Sequence, residues 1–302
     1  MSAMSDESLD RQSGARPVPS VTCVAPRPTR SAVSSSWTAF KALLLRDLFV
    51  LRKSLSVFLP RTILQPFLLV FVFLYVFPKI GESVGGKGPA ASEFAAVLVA
   101  GVVGLSIMFQ GIQSVALPMV QEFGYTKEIE DRVLAPLPIW TVAVGKVVAG
   151  AIQGLIAAAL VFPIAAVVHV KAIQVNLTVH WWVLVTILPL ACIMCAALGL
   201  TFGTRFNPRQ VPVMFGVIVL PMTFLGGTYY AWTALAPVKV FGWSWLQTVV
   251  LFNPLIYVTE AFRAALTKTG HMPLYAIYPV MIGFCVLFLW LGIKGFRNRV
   301  LS

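Results

Sequence analysis

Six apolar blocks, at roughly 62–77, 94–119, 140–168, 181–202, 211–231 and 274–293, decide what this chain can fold into. A hydrocarbon layer about 30 Å thick is crossed by a helix of about 20 apolar residues, and every block but the first reaches that length. The first runs for about 16 residues and starts beside Arg61, whose charged head must snorkel to the interface. Pro66, Pro163, Pro189 and Pro221 fall inside blocks. Membrane helices tolerate them because neighbouring groups satisfy the carbonyls they free. A transmembrane barrel would instead need alternating segments of about ten residues. The reading is an all-α integral membrane protein with six transmembrane helices.

The chain is 58% hydrophobic and 11% charged, with a mean hydropathy of +0.86. A soluble domain carries about 25% charged residues. A net charge of +12 would point a soluble protein toward nucleic acid. Here the bases flank the apolar blocks, so topology explains them and no nucleic-acid partner is expected. Taken by alternate sides, 17 of the 23 Lys and Arg fall on the side of the two termini. The positive-inside rule then puts both termini in the cytoplasm.

Residues 1–36 are rich in Ser, Pro, Arg and Thr without an apolar stretch, which reads as a disordered cytoplasmic tail and not a cleavable signal. Within 37–53, Trp37, Phe40, Leu44, Leu48 and Leu51 recur at helical spacing. An interfacial helix is favoured there over a simple extension of the first span, because Lys41, Asp47, Arg52 and Lys53 are too many charges for hydrocarbon.

Two segments carry most of the remaining chemistry. The loop QEFGYTKEIEDRVLAPLP, residues 121–138, gathers Glu122, Lys127, Glu128, Glu130, Asp131 and Arg132 before Pro136 and Pro138 close it. Exposed charge of this kind gives a docking partner orientation and specificity, and it also suits a solvated connector. The segment FNPLIYVTEAFRAAL, residues 252–266, starts with an Asn-Pro turn and continues as an amphipathic helix with Glu260 and Arg263 three apart. That spacing allows pairing on one face, where charges in a low-dielectric setting must be paired or wet. A local staple is the favoured role, with gating or headgroup contact as the alternative. Around it, 232–272 is too broken by Pro237 and Pro254 to span and reads as a re-entrant outer segment, rich in interfacial Trp and Tyr. Gly226, Gly227 and Thr228, just before it, fit either close packing or a flexible gate.

Other patterns carry little. GESVGGKG at 81–88 lacks the Ser or Thr of a phosphate loop and follows no strand. Cys192 and Cys195 form CxxC inside an apolar block, where packing is the better reading, and His169, His180 and His271 have no carboxylate cluster. No metal site, resident cofactor or catalytic constellation is expected. Mid-block positions offer Gln110, Gln113 and Gln153 but no ionisable relay, which argues against a proton-driven pump.

The interfacial stretch, the charged loop, the six blocks with both ends inside and NPLIYVTEAFRAAL together resemble the permease subunit of ABC-2 type transporters. Within that family the likeness is to the branch of daunorubicin-resistance-type drug and lipid exporters, and it covers 37–299. The resemblance implies a permease domain over 37–302 in a bacterial inner membrane, working as a homodimer or heterodimer surrounded by membrane lipid. It implies a separate ABC ATPase subunit that binds ATP and Mg and docks on Glu122, Lys127, Glu128, Glu130, Asp131 and Arg132 as a coupling helix. It implies an outer gate at Gly226, Gly227, Asn253, Pro254, Glu260 and Arg263, on re-entrant helices over 243–266. The expected activity is export of an amphipathic drug, lipid or glycan-type molecule, with an ATP-independent carrier as the runner-up and a lipid-modifying enzyme as a third reading.

Overall fold

The computed structural model describes residues 32–81, 89–126, 138–167, 178–237 and 244–301. Its regular structure there is helical, without a strand among the described residues. In chain order the helices are α1 (Ala32–Lys53), α2 (Leu55–Lys79), α3 (Pro89–Gln121), α4 (Ile139–Val167), α5 (Trp181–Arg205), α6 (Pro208–Phe224), α7 (Trp245–Val250), α8 (Pro254–Leu266) and α9 (Leu274–Leu301). Five of them, α2, α3, α4, α5 and α9, are long and apolar enough to cross a membrane.

Length separates this outcome from the expected six spans. The block at 211–231 folds as the shorter α6, which at 1.5 Å per residue extends about 25 Å. A π-helical stretch over Met214–Val219 interrupts it, and the chain turns at Gly226 and Gly227 instead of continuing to residue 231. Apolar composition marks both the helix and the turn as buried, but it does not tell where one becomes the other. At the first block the correction goes the other way. The helix begins at Leu55, so Arg61 lies inside its second turn, exposed, and not at its edge.

The helix α1 extends back to Ala32, into the stretch read as tail, and serine is compatible with a first helical turn. It packs on α4 with Phe40 against Gly145, and Leu51 is buried. Ser54 separates α1 from α2. Its φ of −100° and ψ of 14° leave the helical region, while its hydroxyl donates to the carbonyls of Val50 at 2.9 Å and Leu51 at 3.3 Å. Serine thereby competes with the helix ladder and marks the break.

The core is organised around α3, which packs against α2, α4, α5 and α8. Small residues let α3 and α5 approach closely: a Cβ on Gly199 would lie 2.5 Å from the carbonyl oxygen of Gly111. On the other side of α5, the Thr201 hydroxyl donates to the Phe288 carbonyl of α9 at 2.9 Å. Outward faces remain apolar, with Leu64, Leu68, Val217, Phe224, Val286 and Trp290 exposed. A surface of large apolar side chains over a buried helical core suits lipid as solvent.

Candidate functional site

At one end of the bundle the chain builds a clasp around α8. Asn253 is extended and its side-chain oxygen accepts the Leu255 N–H at 3.0 Å, while Pro254 fills the first helical position, where a missing N–H costs nothing. The Asn253 amide nitrogen donates to the Met222 carbonyl at 2.7 Å, so the cap also fastens α8 to the end of α6. Every residue of α8 is buried. At its far end the N–H groups of Thr178 and His180 donate to the carbonyls of Leu266 and Ala265 at 2.9 and 2.8 Å, satisfying acceptors that a helix terminus leaves open.

Glu260 and Arg263 are both 0% exposed and pair at 2.8 Å. The carboxylate does more than pair. Its Oε1 also accepts the Trp232 N–H at 2.7 Å, and its Oε2 accepts the Met272 N–H at 2.8 Å. Arg263 Nη2 donates to the Gly227 carbonyl, and Thr259 Oγ1 donates to that of Gly226 at 2.8 Å. One ion pair thus ties together the turn before the Trp232–Leu235 helical turn, α8 itself and the segment leading to α9. Removing one member of a buried pair strands the other, at a cost of about 3–5 kcal/mol.

The two glycines close the clasp sterically. Gly227 sits at φ +68°, in the left-handed region, and a Cβ there would lie 2.3 Å from Ile256 Cδ1. A Cβ on Gly226 would lie 2.3 Å from Leu255 Cδ2. The structure therefore brings Gly226, Gly227, Asn253, Pro254, Glu260 and Arg263 into one unit. Sequence spacing reveals the Glu260–Arg263 contact, but not the partners at Trp232, Met272 and Gly227, which are distant in the chain.

A second charged cluster lies at the root of the 121–138 loop. Lys127, Glu128, Glu130, Asp131 and Arg132 fall outside the described residues. Glu122, grouped with them from sequence, is buried and receives a hydrogen bond from Lys146 Nζ at 2.7 Å. Lys146 in turn lies 4.0 Å from Asp47 Oδ2, so α1, the end of α3 and the start of α4 meet through one ammonium group. From sequence, Asp47 is read only as one of the charges that keep its helix at the interface, and Lys146 is given no site role. Their signal was a lone lysine two turns into an apolar block and an acid on a mainly basic amphipathic helix.

The mid-block glutamines also find places within the chain. Thr62 Oγ1 donates to Gln110 Oε1 at 3.1 Å and Gln110 Nε2 donates to Gln153 Oε1 at 3.2 Å, a polar ladder across α2, α3 and α4. Cys192, Cys195 and Cys285 are buried free thiols, and among the described residues no group of three His, Cys, Asp or Glu is placed to hold a metal.

Against known proteins, the family model described as ABC-2 type transporter matches residues 38–267. Among curated proteins, the inner membrane transport permease YadH of Escherichia coli (strain K12) is 25% identical over 260 residues, covering 83% of this chain and 92% of that protein. Proteins of the same name from Escherichia coli O157:H7 and Shigella flexneri match with the same identity and coverage.

Proposed function

Because the chain belongs to the ABC-2 type transporter family, we propose that it is the permease half of an ATP-driven exporter, carrying an amphipathic molecule out of the cytoplasm or inner leaflet. Its place would be the bacterial inner membrane, as the name of the Escherichia coli relative suggests, with both termini cytoplasmic. In this reading two permeases associate as a homodimer or heterodimer, and two ABC ATPase subunits bind ATP and Mg and dock on the loop carrying Glu128, Glu130 and Asp131. The shorter α6 serves as the sixth crossing, and α7 and α8 form the re-entrant outer segment. In support, α8 meets α3 at Gly104, about 22 Å along that helix from Pro89 at 1.5 Å per residue.

The observation that carries the ATP-driven reading is the satisfied state of the buried carboxylate. A proton-coupled carrier needs an ionisable relay deep in the protein. Glu260, the fully buried acid among the described residues, accepts three hydrogen bonds and is held in one geometry. Energy then has to enter from outside the membrane domain. In this reading the buried Glu122–Lys146 pair, at the base of the loop, would pass a push on that loop to α1 and α4.

Reversing Glu128, Glu130 and Asp131 together to Lys tests the coupling. ATP-dependent export in proteoliposomes containing the ATPase should fall to background while the permease still assembles. Transport that persists without any ATPase and follows an imposed ion gradient would sink the proposal in favour of a secondary carrier. Product formation by the purified chain alone would favour an enzyme.

A further inference from the structure

A cleft of about 380 Å³ opens among α1, α2, α3 and α4, next to the Glu122–Lys146 pair and away from the α8 clasp. This volume falls within the range of small-molecule sites, roughly 300–1,000 Å³. Its two ends differ in chemistry. At one end Lys146 pairs with Glu122 and Asp47, with Arg46 also in the lining, while Arg61 comes one residue before the Thr62 that bonds Gln110. At the other end are Gln110, Gln113 and Gln153, the last lying two turns along α4 from Lys146.

The amides are only partly used. Gln110 spends its oxygen on Thr62 and an N–H on Gln153. Among the described residues, the amide nitrogen of Gln153 and the whole amide of Gln113 line the cleft without a hydrogen-bond partner, although both belong to segments that could cross a membrane. Polar groups at such depth that face a cavity instead of one another are costly unless something fills it. Arg61 is exposed, lines the same cleft from α2 and has no ion-pair partner among the described residues. Val50 and Val57, on either side of the Ser54 break, line the cleft and are 55% and 70% exposed. They give it an apolar margin between α1 and α2.

We propose that this cleft receives a monoanionic oxyanion headgroup, a phosphodiester or carboxylate, borne by an amphipath whose tail leaves between α1 and α2. The Arg61 guanidinium presents forked donors to two oxygens of an anion, and the amide N–H groups of Gln113 and Gln153 supply more. The proposal deepens the exporter reading by giving the cargo a headgroup chemistry. It rests on that reading for the word cargo, but its test needs no ATPase, so the two can fail separately.

The test measures binding of dihexanoyl phosphatidylglycerol to the purified full chain in detergent, with dihexanoyl phosphatidylcholine and inorganic phosphate as the comparison probes. Phosphatidylglycerol should bind and phosphatidylcholine, whose phosphodiester is neutralised by choline, should bind about tenfold more weakly or worse. Arg61→Gln should weaken phosphatidylglycerol by about tenfold, Arg61→Lys should restore part of the loss, and Arg209→Gln, outside the cleft, should change it less than about twofold. Gln113→Leu gives a second arm on a residue without hydrogen bonds to lose, and should weaken binding by about threefold. Equal binding of the two lipids, or an Arg209→Gln effect as large as that of Arg61→Gln, overturns the site. Inorganic phosphate binding as tightly, with the same Arg61 dependence, overturns the amphipath and leaves a free-anion site.

Discussion

The clasp around α8 and the cluster at the base of the 121–138 loop are both built on an acid paired with a base, yet they are opposite kinds of structure. In the first, Glu260 and Arg263 are sealed from solvent and every oxygen of the carboxylate has a fixed donor, two of them backbone N–H groups. In the second, Lys146 divides itself between Glu122 at 2.7 Å and Asp47 at 4.0 Å, with side chains 10–21% exposed and an open cleft alongside. Backbone donors cannot change partner without moving the chain, whereas an ammonium shared between two acids can trade one for the other by rotating. The clasp has its partners fixed by the backbone, whereas the loop base has a second pairing within reach of the same ammonium.

Substitution should expose the contrast most sharply at Glu260. Glu260→Gln leaves a buried guanidinium with its charge uncompensated, at about 3–5 kcal/mol, and should appear as loss of the monodisperse peak in fluorescence-detected size-exclusion chromatography of the detergent-extracted protein. The swapped pair Glu260→Arg with Arg263→Glu should not recover it. Arginine at 260 would point donors at the Trp232 and Met272 N–H groups, which need an acceptor. Recovery in the swap would reduce the clasp to a simple ion pair and weaken the contrast.

A smaller loss belongs to Gly227→Ala, where a left-handed backbone and the Ile256 contact both oppose a Cβ. About 1–3 kcal/mol is expected, read as a lower thermal midpoint with the fold retained. The smallest effect belongs to the loop base. Lys146→Met combined with Glu122→Gln in a double-mutant cycle should give a coupling energy near 1 kcal/mol in the same thermal assay. A coupling as large as that expected of the clasp would mean that the two regions are equally rigid.

Much of this contrast was visible in the sequence only in outline. Apolar length located the five long helices because lipid imposes it directly, and Asn253-Pro254 announced the start of α8 because capping chemistry is local. Glu260 and Arg263 could be paired on spacing alone, since three residues is a helical distance. Their remaining partners lie 12, 28 and 36 residues away, and no local rule connects them. The end of α6 was misplaced for a related reason: what stops that helix is a turn seated on α8, a tertiary contact written in two glycines that could equally have packed one helix on another. Glu122 looked like part of an exposed charged run, yet its neighbour in space is Lys146, across the loop.

The Met272 N–H that completes the Glu260 carboxylate has a consequence for biogenesis. Met272 is made after α8, just before α9 begins. The 13-residue α8 is too short for the membrane-insertion machinery to treat as an ordinary span, and it carries two charges that cannot rest in lipid. Its carboxylate therefore gains its full set of donors only once the segment behind it has been made. Completion of the Glu260 shell is thus coupled to the synthesis of the segment that leads into α9.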